Sequence, residues 1–83
     1  MVRYRLESEF RERLFTKAAS VEGGETHLGR KLGYSINFGF RVRQLRSGEV
    51  SIDERQLRVL SHITRIGWDE IKKHIEREIV NRE

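Results

Sequence analysis

Glycine sets the frame of this chain. Its 83 residues include seven glycines and no proline. Glycine ends helices readily because it takes a left-handed backbone without a Cβ clash. Gly23-Gly24, Gly33, Gly48 and Gly67 cut the sequence into short segments. Each is long enough for one short helix and too short for a deep catalytic cleft. One domain covering residues 1–83 follows, with a single small core that buries roughly 60% of the unfolded chain's surface.

The apolar spacing fills in the frame. Val2, Tyr4 and Leu6 alternate with Arg3 and Arg5, the period of a short strand or an N-terminal arm over residues 1–7. Phe10, Leu14, Phe15 and Ala18 share one face of a helix running from Ser8, its cap, to about Ala19. Leu28 and Leu32 mark a second helix from Gly24 or Glu25, closed by Gly33. Gly29, inside it, has the size needed where another helix crosses close above. Tyr34-Ser35-Ile36 is a turn, and Asn37 can cap a third helix that ends at Ser47 before Gly48. Ser51 with Glu54 has the spacing of a capping box for a fourth helix to about Thr64. Trp68, Ile71, Ile75 and Ile79 form an apolar stripe at helical spacing, a fifth helix after Gly67. Its first three members belong in the core against helix 1. No repeat or low-complexity segment interrupts the pattern.

Charge is unevenly spread. The formal net charge is +4. Residues 1–25 hold five basic and five acidic side chains, and residues 49–83 hold seven and eight. Residues 26–48 hold Arg30, Lys31, Arg41, Arg43 and Arg46 and no acid. A cationic block without anions suits a phosphate-bearing partner, because each neutralised phosphate releases counterions. A solvated basic face is the bland alternative.

Other chemistries find no support. There is no cysteine, so no disulfide and no thiolate metal site. His27, His62 and His74 are too far apart in sequence for a zinc pair. Ser35, Ser47 and Ser51 sit in no nucleophile elbow, and the glycines make no phosphate loop. No acid/base, nucleophile or metal set converges, so no enzyme and no cofactor are expected. No apolar run has the ~18 residues of a membrane span, and no secretory segment follows Met1. A soluble cytoplasmic protein is the expectation.

Helices 2 and 3, over about residues 25–48, carry the functional reading. Leu28-Gly29-Arg30-Lys31-Leu32-Gly33-Tyr34-Ser35 resembles the second helix and turn of the lambda-repressor/Cro (XRE-type) helix-turn-helix family. Val42-Arg43-Gln44-Leu45-Arg46-Ser47-Gly48 resembles the end of its recognition helix. Ser51 to Leu60, and Thr64 to Ile71, resemble its fourth and fifth helices. The resemblance implies an all-α, compact five-helix domain, here with a short N-terminal β-strand or arm. It also implies sequence-specific binding of double-stranded DNA by a small transcriptional regulator, with helix 3 in the major groove. Gly33 and Gly48 stand about three residues further apart than the family's usual pair. The extra residues fall around Ile36 to Gly39, so contacts cannot be copied position by position. Glu25 stands where the family commonly has a phosphate-contacting Gln, and that contact is not carried over.

Helical geometry selects the exposed face without the family. At 100° per residue, Phe38, Val42 and Leu45 point to the core. Asn37, Phe40, Arg43 and Gln44 lie opposite and suit base edges: Arg43 for guanine, Gln44 and Asn37 for adenine, Phe40 for a thymine methyl. Arg41, Arg46 and Ser47, with Arg30 and Lys31, suit phosphates. The strand residues Val2, Tyr4 and Leu6, or the helix-5 residues Ile79 and Val80, are the candidate contacts of a homodimer. A protein-interaction or antitoxin-like module on the same fold is the alternative. RNA binding ranks third, for lack of an aromatic stacking platform.

Overall fold

The computed structural model describes residues 2–80. Five helices pack with a small three-stranded antiparallel sheet: β1 (Val2–Leu6), α1 (Ser8–Glu22), α2 (Glu25–Lys31), α3 (Phe38–Ser47), β2 (Ile52–Asp53), α4 (Glu54–Thr64), α5 (Trp68–Lys73) and β3 (Ile75–Val80). The fold is mostly helical, and one core joins helices to sheet. Leu6, Phe10, Leu14, Phe15, Leu28 and Leu45 meet there with Val42, Ile52, Leu57, Leu60 and Ile71.

The glycines end the helices as the sequence predicts. Gly23 and Gly48 close α1 and α3 at φ +84°, and Gly33 follows α2 at φ +96°. Gly29 also behaves as its spacing implies. A Cβ there would lie 2.7–2.8 Å from the Cβ, carbonyl oxygen and Cα of Phe38, the first residue of α3. The missing side chain lets α3 cross directly on α2. Tyr34, in the turn, is fixed from outside the pair: Gln56 Nε2 of α4 donates to its hydroxyl at 3.0 Å.

Three predicted caps are corrected. Asn37 takes a left-handed backbone, φ 53°, and its side chain makes no cap hydrogen bond. Its role is to turn the chain into α3. α1 is preceded by Glu7, not capped by Ser8, and Glu7 Oε1 instead meets His74 Nδ1 at 2.7 Å. The cap of α4 lies two residues later than predicted. Gln56 N donates to Asp53 Oδ1 at 2.7 Å, and Asp53 N donates to Gln56 Oε1 at 3.2 Å. Ser51 is unavailable because its hydroxyl accepts from Arg3 Nε at 2.8 Å, and Ile52 is already paired with Tyr4 as strand.

The largest correction lies at the C-terminal end. The fifth helix stops at Lys73, and Ile75–Val80 is a strand. It pairs antiparallel with β1, giving sheet order β2-β1-β3. β1 is therefore a central strand and not an arm. β1 pairs on both sides within the chain, with β3 along its length and with β2 at Arg3 and Tyr4, and Leu6 is fully buried. Ile71 is fully buried, whereas Trp68 and Ile75 pack at the margin of the core. Trp68 lies under the Arg58 guanidinium of α4, 4.8 Å from ring centre to carbon. α1 reaches this end through Phe10, whose ring stacks on His74 at 4.1 Å.

A candidate nucleic-acid interface on α3

α3 is held at both ends. At its start, Phe38 sits on Gly29. At its end, a side chain that sequence reasoning missed completes the support. Arg11 of α1 is buried, and its guanidinium donates to three carbonyls: Arg46 O at 2.7 Å, Leu6 O at 2.8 Å and Ser47 O at 3.1 Å. Two of these belong to the last turn of α3, where carbonyls lack helical partners and the helix dipole is negative. A buried arginine is tolerable here because carbonyl oxygens surround it. The signal was present in the sequence. Arg11 stands three and four residues before Leu14 and Phe15, on the apolar face of α1.

Val42 and Leu45 are buried, as the helical spacing requires, whereas Phe38 is only partly buried and lies outside the core. On the opposite face Asn37, Arg43 and Ser47 are exposed, and Phe40 is 52% exposed. Arg41 is exposed at the flank, its guanidinium 5.9 Å from the Tyr34 ring centre. Ile36, in the preceding turn, is 64% exposed beside this surface. Gln44 differs from the sequence reading. Its Oε1 is enclosed and has no hydrogen-bond donor among the described residues. In this conformation its carbonyl cannot serve a base edge, so a bidentate adenine contact is not available to it.

The phosphate candidates divide. Arg30 is exposed and lies over the Phe38 ring at 5.1 Å, beside the start of α3. Arg46 is half-buried and directs its charge inward, with Nη1 at 3.2 Å from Glu25 Oε2 and Nε at 3.9 Å from Glu12 Oε2. Glu25 is thus the counter-ion of a helix-positioning arginine, and its repulsion toward a phosphate is neutralised. Ser47 Oγ donates to Gln44 O at 3.1 Å and accepts from Glu49 N at 3.3 Å, closing the last turn of α3. Lys31 faces elsewhere, toward α4. Arg30, Arg41 and Arg43 remain as exposed cations around α3, with no acidic partner within 4 Å among the described residues.

Ile79 and Val80, the other dimer candidates, lie on β3, at the edge of the sheet. Val80 is 59% exposed. Among the described residues no group of three or more histidines, cysteines and carboxylates could hold a metal ion. No helix among them is long and apolar enough to cross a membrane. Comparison with family models, curated proteins and solved structures finds no match to this chain.

Proposed function

We propose that the chain binds double-stranded DNA sequence-specifically, with α2 and α3 as a helix-turn-helix of the lambda-repressor/Cro kind and α3 as the helix that enters the major groove. One observation carries the reading. α3 is clamped at both ends by contacts within the domain, yet its outer face is left exposed and bears Asn37, Phe40, Arg41 and Arg43 without an acid. A helix so fixed is preorganised to read base edges, because ordering it costs nothing at the moment of binding. Arg43 suits guanine, Asn37 adenine and Phe40 a thymine methyl. Arg30 and Arg41 flank them and suit phosphates. Arg46 acts by positioning α3 through Glu25. Such a protein would act as a small transcriptional regulator.

A homodimer matched to two half-sites would pair through β3, at the edge of the sheet. Two-fold antiparallel pairing centred on Ile79 would set that isoleucine against its own copy and Glu78 against Val80, with no like charges opposed.

The test is fluorescence anisotropy on random duplex DNA across a salt series, followed by selection of preferred sequences. Arg30 and Arg41 on phosphates give a log–log salt slope of about −2 for each bound copy. Arg43→Ala should lose discrimination of a selected sequence by about 1–3 kcal/mol, while Arg41→Ala should weaken selected and random duplexes alike. No binding at low salt, or equal effects of both variants on both duplexes, would overturn the assignment.

A further inference from the structure

A second surface lies away from the exposed face of α3. The C-terminal half of α1, the end of α2 and the outer side of α4 enclose a groove of about 810 Å³. Its floor is apolar: Val21, Val59 and Ile63. Val21 is 56% exposed, unusual for a valine with a core so close beneath it. Lys31, Arg55, Arg58 and Arg65 form the rim, with His62 between them. Along α4, residues 55, 58, 59, 62 and 63 follow helical spacing, so one face of that helix lines the groove for about 12 Å. Two carboxylates, Glu22 and Glu54, stand on the same rim. Glu54 is already paired with Arg58 at 3.4 Å.

The end of the groove is built at a cost. Arg65 closes α4 with φ 60°, a left-handed backbone that glycine takes freely and arginine does not. No hydrogen bond or ion pair among the described residues occupies its guanidinium. Strain kept at a surface site points to use of the side chain that causes it.

We propose that this groove docks an acidic amphipathic segment of another protein, two to three helical turns long, with apolar side chains on Val21, Val59 and Ile63 and carboxylates toward Arg55, Arg65 and Lys31. Charge complementarity selects this occupant. An apolar floor of Val21, Val59 and Ile63 takes up leucine side chains and offers nothing to a phosphate backbone. A length of about 12 Å matches about eight residues of helix. The reading does not depend on DNA binding by α3. Arg55, Arg65 and the apolar floor take no part in that interface, and Lys31 belongs to the groove.

The probe is a fluorescein-labelled twelve-residue helical peptide with leucines at every third or fourth position and glutamates elsewhere. Its control carries lysines in place of the glutamates. Micromolar binding of the acidic probe to the full chain is expected, and none of the control. Arg55→Glu and Val21→Glu should each weaken the acidic probe about tenfold or more. Both positions are solvent-exposed, so an unchanged thermal transition will show that the fold persists. Amide chemical shifts of the wild-type chain give a second readout: the C-terminal half of α1 and α4 should respond to the probe, and α3 should not. Failure of the wild type to bind at about 1 mM, a response centred on α3, or full binding by both variants overturns the proposal. Loss of duplex DNA affinity as steep as the loss of peptide affinity would reassign the groove to nucleic acid and overturn it too.

Discussion

Gly29→Ala separates two physical effects that act in opposite directions. On intrinsic propensity, alanine inside a helix is better than glycine by about 1 kcal/mol. Against this stands the crossing with α3. The new Cβ would lie 2.7 Å from Phe38 O and 2.8 Å from Phe38 Cα. These are backbone atoms and cannot swing aside like a side-chain tip. α3 must retreat by several tenths of an ångström, and overpacking of this kind costs about 1–3 kcal/mol. Moving α3 also strains its far end, where Arg11 is tied to three carbonyls. The net expectation is a loss of about 1–2 kcal/mol, a Tm lower by about 5–15 °C for a domain of this size. Gly39→Ala is the matched control. It sits in the first turn of α3, and its Cβ would meet only Thr26 Oγ1, at an ordinary 3.9 Å. It should stabilise by about 0.5–1 kcal/mol. Thermal and urea unfolding by circular dichroism measure both. If the two variants shift Tm in the same upward direction, the close crossing of α2 and α3 is not what keeps residue 29 small.

Arg11→Met keeps the aliphatic stem but leaves three carbonyls unpaired, and should lose about 3 kcal/mol; a loss under about 1 kcal/mol would show that Arg11 is not the clamp on α3. Asp53→Ala removes one half of the α4 capping box and should lose about 1 kcal/mol in urea unfolding, whereas no loss would return the cap to Ser51. Arg65→Gly relieves a left-handed arginine and should stabilise by about 1 kcal/mol while weakening the acidic peptide; stabilisation without that weakening would leave the strain unrelated to docking. Burial, then the Glu54 and Glu78 carboxylates, hold the Tyr4 phenol above its ordinary value of 10.0, with Arg58 opposing them. The folded state thus binds that proton more tightly. Its contribution is complete below the unfolded phenol's value and is lost as pH rises through the folded one. Thermal melts across that alkaline range should show a decline that Tyr4→Phe reduces, and an identical decline in the variant would refute the assignment.

The sequence by itself determined whatever depends on neighbours along the chain. Alternation at Val2, Tyr4 and Leu6 specifies a strand. Gly23, Gly33 and Gly48 specify where helices end. Val42 and Leu45 specify which side of α3 is buried, and the size of Gly29 specifies a close crossing. Each follows from local sterics or from a 3.6- or two-residue period. Tertiary structure decided the rest. Ile71, Ile75 and Ile79 are four apart, a spacing that a helix and a strand can both use. The choice fell to β1, about seventy residues away, whose free edge pairs with Ile75–Val80. A register shift at Glu76 then turns Ile79 to the face of Arg3, away from Ile75. Arg11 and Arg46 look alike as sequence, two arginines among apolar neighbours. One clamps α3 from within and the other is held by Glu25. Which charges are left over for a partner is a property of three-dimensional pairing, because Coulomb and hydrogen-bond partners are chosen by distance in space and not along the chain.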